Sequence, residues 1–196
     1  MLNFEGLTLL LASQSPRRRA LLKELGWKVK IVPPPNVDEI FPEELAAEQI
    51  PEYLSNLKAG AYPLPLANDE MLVTADTIVW INQKVLGKPS GYYETVEMLH
   101  QLSGHTHSVF TGVCLSYRGK RHTFSDETKV TFAALSDEEI EYYANHYKPF
   151  DKAGGYGVQE WIGFIGVERM EGSYFNVMGL PTHRLYAEIK KLVDPI

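Results

Sequence analysis

Apolar positions along the chain change period several times, and the changes mark its elements. Residues 7–12 form a short apolar run that closes on helix-start chemistry, which predicts a buried strand. From Pro16 to about Leu25 the apolar residues Ala20, Leu21 and Leu25 recur on one side, predicting a helix with Ser15 as N-cap, Pro16 at the first position and Gly26 past its end. Residues 27–32 alternate like a half-buried strand until Pro33-Pro34-Pro35 stops it. The chain therefore opens as β-α-β.

Pro42 predicts a short helix through Gln49, and Pro51 a second one in which Leu54, Leu57, Lys58 and Ala61 share a face. Residues 71–81, rich in Val73, Ile78, Val79, Trp80 and Ile81, are the strongest strand candidate. After a turn at residues 86–90, a helix runs to about Leu102, with Val96, Leu99 and Leu102 inward and Gly104 as terminator. Residues 106–117 and 121–132 read as the strands of a hairpin turning at Arg118-Gly119-Lys120. Ser136 and Glu139 form a capping box for a helix carrying Ile140, Tyr143, Ala144 and Tyr147 on one face. Residues 161–167 predict a strand, and a last helix over 182–192 buries Leu185, Ile189 and Leu192. The class is α/β or α+β with mixed strand pairing.

Composition narrows this picture. At 196 residues the chain suits one domain with two lobes or two small domains. Its 44% hydrophobic and 22% charged residues argue against disorder. The net charge of −6 disfavours non-specific nucleic-acid binding. Cys114 is the single cysteine and sits in an apolar stretch, which predicts a buried, inert thiol. The first residues lack a basic region followed by a long apolar core, and no apolar run is long enough to span a bilayer. The expectation is a cytoplasmic protein with no membrane partner.

Candidate chemistry begins at Ser13-Gln14-Ser15-Pro16-Arg17-Arg18. Free N–H groups and the dipole of a helix start favour an anion, and two guanidiniums match phosphate oxygens. A capped helix with solvated arginines accounts for the same residues. Asp76 lies inside the strongest strand, where a carboxylate is costly unless it ends the strand, pairs with a cation or binds a metal. Glu39 lies in an acidic loop, Lys58 on an apolar helix face from which it could snorkel, and Lys88 in a turn. Asp151-Lys152 precedes three glycines within five residues, a ligand loop or an ordinary turn. His105 and His107 lack a third metal-ligand partner. There is no Walker loop, no Gly-x-Ser-x-Gly elbow and no Cys-x-x-Cys. Basic groups for negative oxygens together with carboxylates for a metal or a water suit phosphoanhydride hydrolysis.

These residues fall in motifs that resemble the Maf family of nucleotide pyrophosphatases. The motifs are Leu11-Ala12-Ser13-Gln14-Ser15-Pro16-Arg17-Arg18, Val37-Asp38-Glu39, Ala75-Asp76-Thr77, Leu86-Gly87-Lys88-Pro89, Leu102-Ser103-Gly104, Thr111-Gly112-Val113, Asp151-Lys152-Ala153-Gly154 with Tyr156-Gly157-Val158-Gln159, and Gly172-Ser173-Tyr174 through Gly179-Leu180-Pro181. They occur in the family's order over nearly the whole chain.

The resemblance implies an α/β fold with a mixed sheet, elongated and two-lobed around one central cleft, related to the inosine triphosphate pyrophosphatases and commonly homodimeric. It implies one Maf-like domain over residues 1–196. The implied reaction cleaves a nucleoside triphosphate between the α and β phosphates with a divalent cation, Mg2+ first, with Mn2+ or Co2+ as alternatives. It makes Asp76 the catalytic acid-base residue, and Ser13, Arg17, Arg18, Lys58 and Lys88 phosphate-binding groups. Glu39 and Asp76 serve metal or water. Arg17, Thr77 and Gln159 match the subgroup acting on thymidine and uridine triphosphates rather than 7-methylguanosine triphosphate. A glutamine amide both donates and accepts, complementing O4 and N3–H of uracil or thymine. The family name also carries a rival expectation, a non-catalytic nucleotide-binding regulator of cell division. The chain departs from the pattern at Glu160, where small residues are usual.

Overall fold

The computed structural model describes residues 6–193. In chain order the elements are β1 (Thr8–Ala12), α1 (Pro16–Lys23), β2 (Lys28–Val32), α2 (Gln49–Gly60), β3 (Glu70–Ile81), β4 (Lys84–Leu86), α3 (Tyr92–Leu102), β5 (Thr106–Tyr117), β6 (Lys120–Phe132), α4 (Asp137–Tyr147), α5 (Trp161–Gly166), β7 (Val167–Glu171), α6 (Tyr174–Val177) and α7 (Thr182–Val193). The strands form a mixed seven-stranded sheet in the order β2-β1-β3-β5-β6-β7, with β4 pairing β3. Two compact units are distinguished, one of residues 6–76, 111–126 and 179–193, the other of residues 77–110 and 127–178.

In the first unit β1 pairs in parallel with both β2 and β3, Leu9 facing Val29 on one side and Met71 on the other. A parallel strand covered on both faces reads as a continuous apolar run, which is why all of β1 is buried. The predicted Ser15 cap is present, its hydroxyl accepting from Arg18 N at 3.3 Å. The buried side of α1 differs from the expected one: Leu21 and Leu22 are buried, Leu25 half-buried and Ala20 exposed.

No helix forms over residues 42–48. That segment has a single large apolar residue, Leu45, and turns instead. A helix so short has no stability without a face to pack. The helix α2 starts at Gln49 and carries Pro51 within its first turn, where the missing N–H would be unpaired anyway.

In the second unit β3 turns into β4 through Asn82 and Gln83, both left-handed at φ +50° and +61°, a hairpin that the sequence reading missed. Asn-Gln lacks the glycine that usually flags such a turn. The hairpin at Arg118-Gly119 and the capping box of α4 are as predicted. Tyr147, expected inward, is 39% exposed and stacks on Tyr143. The strand predicted over residues 161–167 is the helix α5 followed by β7. Its apolar residues do not alternate in burial: Ile162 and Gly166 are covered one turn apart, while Phe164 is 80% exposed. His107 lies in the core, edge-on to Phe132 and Tyr156. Cys114 is buried as expected.

Candidate active site

Asp76 sits in the middle of β3 and is 8% exposed. Of the ways in which a strand can carry a carboxylate, this chain uses the cation: Lys58 Nζ lies 2.5 Å from Asp76 Oδ1. The same ammonium lies 2.9 Å from Oε1 of Glu39. Lys58 has therefore not snorkelled to water, and its side chain is only 12% exposed. One cation joins a buried strand carboxylate to a loop carboxylate.

This meeting follows from how α2 is held. Thr74 Oγ1 donates to the Ser55 carbonyl at 2.7 Å. Thr74 and Asp76 share a face of β3, and Ser55 and Lys58 share a side of α2. Gly112 of β5 completes the seat, because a Cβ there would collide with the Pro51 carbonyl and the Glu52 nitrogen. The close approach of helix backbone to strand backbone is thus written into a glycine whose motif the sequence reading noted without a reason for it.

The Ser13 to Arg18 segment lies beside the same strand. Arg18 Nη1 donates to the Ala75 carbonyl at 2.8 Å and Nε to the Gly179 carbonyl at 2.8 Å. Its guanidinium straps α1 to the residue preceding Asp76 and to the turn before α7. Burial pulls the Arg18 pKa below its ordinary value, Asp76 raises it and the neighbouring charge of Arg17 lowers it again. Arg17 is half-buried in the first turn of α1. Ser13 is buried, and its hydroxyl accepts from Ser15 N at 3.2 Å, which shapes the entry to the helix.

Ser13, Arg17, Arg18, Glu39, Lys58 and Asp76 thus all belong to the first unit. Thr77, Lys88 and Gln159 belong to the second. Thr77 follows Asp76 on β3 and points to the opposite face. Lys88 is exposed in the turn after β4, and that turn is fixed to the Asp151–Gly154 loop by Gly154 N donating to the Gly87 carbonyl at 2.9 Å. Gly154 is left-handed at φ +68°, and a Cβ on it would press on Val79.

Around Gln159 the structure shows a polar cluster that sequence reasoning did not find. Lys152 Nζ lies 3.1 Å from Glu160 Oε1 and 2.7 Å from Asp151 Oδ1. Tyr143 donates a short hydrogen bond to Glu160 Oε2 and accepts one from Gly157 N at 2.9 Å. The signals available in the sequence were the adjacent charges of Asp151 and Lys152 and the carboxylate of Glu160, none of which shows by itself that they meet.

A family model for Maf-like proteins matches residues 8–192 of the chain. The chain belongs to the Maf family. Among Maf relatives, it is 55% identical over 190 residues to a dTTP/UTP pyrophosphatase of Phocaeicola vulgatus, covering 97% of this chain and 98% of that one. It is 51% identical, over the same shares, to a dTTP/UTP pyrophosphatase of Bacteroides fragilis. The solved structure of a HAM1 protein from Coxiella burnetii shares the fold, with a TM-score of 0.52 at 14% identity over 94% of this chain and 99% of that one. The expected mixed α/β class is therefore the observed one. Among the described residues, no helix is long and apolar enough to cross a membrane.

Proposed function

We propose that this Maf chain is a nucleoside triphosphate pyrophosphatase that hydrolyses dTTP and UTP to the monophosphate and pyrophosphate. The observation that carries the reading is the Asp76 carboxylate, buried in mid-strand and paired with Lys58, which also holds Glu39. The base preference rests on the relatives, whose names specify dTTP and UTP.

In this reading Asp76 takes a proton from a water that attacks the α phosphorus. The new bond forms from water oxygen to phosphorus, the bridging bond to the β phosphate breaks, and pyrophosphate leaves. Lys58, Lys88, Arg17 and the Ser13 hydroxyl bind the phosphate chain, and preorganised charge of this kind supplies most of such a rate enhancement. Arg18 contributes its charge while holding the backbone before Asp76 in place. Thr77 and Gln159 serve the nucleoside, with Gln159 reading the base.

The donor set fits a hard divalent cation. Among the described residues no group of three or more His, Cys, Asp or Glu forms a closed metal cage. Magnesium needs none, since it takes one or two carboxylates and fills its shell with phosphate oxygens and water. Asp76 and Glu39 would hold it, with Mn2+ or Co2+ as substitutes, and when bound it neutralises charge on the phosphate chain. One domain with two lobes, a homodimer and a cytoplasmic location complete the proposal, the dimer being checked by molar mass in solution.

The deciding experiment offers a panel of nucleoside triphosphates with magnesium and scores pyrophosphate against orthophosphate. Pyrophosphate from dTTP and UTP, with little from 7-methyl-GTP, is the expected outcome. Orthophosphate as first product would refute cleavage at the α–β bond, and binding without turnover would favour the regulator.

A further inference from the structure

The cluster around Glu160 does more than neutralise a buried lysine. A carboxylate oxygen can only accept a hydrogen bond, so the part of the Gln159 amide that faces it must be the –NH2 group. Gln159 Nε2 lies 3.5 Å from Glu160 Oε1, and Gln159 Oε1 is buried with no hydrogen-bond partner among the described residues. An orphaned buried acceptor is costly, and a ligand donor would relieve it.

Each surrounding group keeps the carboxylate in place. Lys152 and the Tyr143 hydroxyl grip its two oxygens. Burial, and next the bond to Glu160, hold the Tyr143 phenol far above its ordinary range, so it stays a donor. Gly157 leaves the room: a Cβ there would lie 2.7 Å from Gln159 Nε2 and 2.9 Å from Glu160 Cδ. Glycine at this position lets both side chains fold back over the loop.

We propose that Glu160 is a positioning residue that fixes the Gln159 amide with its carbonyl oxygen presented to the nucleobase. The proposal rests on the reading that Gln159 reads the base. With the amide so fixed, Oε1 accepts from N3–H of uracil or thymine, and the second hydrogen of Nε2 is available to O4. Cytosine sets its N3 lone pair against Oε1 and its amino group against Nε2, so it is disfavoured on both counts. An amide free to flip would accommodate either base.

The test is the ratio of kcat/KM for UTP to that for CTP, measured in the wild type, Gln159→Ala, Glu160→Ala and Glu160→Gln. Loss of the anchor in Glu160→Ala lowers the ratio by about tenfold, the scale of one hydrogen bond. Glu160→Gln still offers an acceptor to Lys152 and Gln159, and restores the ratio to within about threefold of the wild type. A purely structural role would lower both nucleotides alike and leave the ratio unmoved, which overturns the proposal. An unchanged ratio in Glu160→Ala beside a collapsed one in Gln159→Ala overturns the positioning role and spares the base-reading role. An unchanged ratio in Gln159→Ala removes both. If Glu160→Ala does not fold, Tyr143→Phe, which releases one carboxylate oxygen, must lower the ratio by about threefold, and an unchanged ratio there also overturns the proposal.

Discussion

Lys58 meets Asp76 one step along from the hydrogen bond between Thr74 and Ser55, so that the helix and the strand carry two successive rungs. The polar rung of Thr74 fixes where α2 lies, and the charged rung two residues on places an ammonium against the Asp76 carboxylate. Asp76 and Lys58 were separate puzzles in the sequence, one an acid in an apolar strand and the other a base on an apolar helix face. Each is the explanation of the other.

Replacing Asp76 by Asn separates chemistry from folding. The amide keeps the size of the side chain and can accept from Lys58 through its oxygen, and Lys58 retains Glu39. Pyrophosphate release should fall by about 10³-fold, the scale of lost acid-base catalysis. The unfolding midpoint in urea should move little, and nucleotide binding measured by calorimetry should survive. Near-wild-type turnover would remove Asp76 from the mechanism.

Lys58→Met has the opposite signature. It removes the cation that the buried carboxylate depends on, and stranding one member of a buried pair costs about 3 kcal/mol. Both stability and kcat/KM should drop, whereas Asp76→Asn lowers only activity. Urea melts of the two variants side by side make the comparison, and equal stabilities would mean that the pair is solvated in solution.

The two arginines should also part company. Arg18 spends Nε and Nη1 on the carbonyls of Gly179 and Ala75. Lysine has no planar fork to reach both, so Arg18→Lys should lose about 1–3 kcal/mol of stability along with activity. Arg17→Lys keeps the charge and loses the fork that matches phosphate oxygens, so it should weaken turnover. A stable Arg18→Lys protein would show that the strap is dispensable.

Legibility in the sequence followed the physics of each residue. The β-α-β opening, the capping box at Ser136 and the Arg118-Gly119 hairpin were readable because period and cap chemistry are local. The helix over residues 42–48 was misread because a proline and good helix formers do not supply a face to bury. The strand at residues 161–167 was misread because an apolar run short enough for either element carries no period of its own. Asp76 could be singled out by its cost in an apolar strand, but its partner could not, since the contact depends on Gly112 admitting the backbone of α2. Arg18 was legible as a cation and not as a strap, because its acceptors are backbone carbonyls with no signature in sequence.

His107 gives a prediction about pH. It is 2% exposed, bonded through Nε2 to the Tyr156 hydroxyl at 2.8 Å, and burial pushes its pKa down to about 4. In the unfolded chain the imidazole titrates near 6.5, so between these values the unfolded state binds more protons than the native one. Stability from this site is therefore complete above about pH 6.5 and is lost as pH falls toward 4. The loss between pH 7.5 and pH 4.5 should be about 2.5 kcal/mol, from the difference between the two pKa values. His107→Gln removes the titrating group, so urea unfolding of that variant should show a shallower decline over the same interval even if it starts from a lower stability. An undiminished slope would assign the acid sensitivity to other groups and place the imidazole within reach of water.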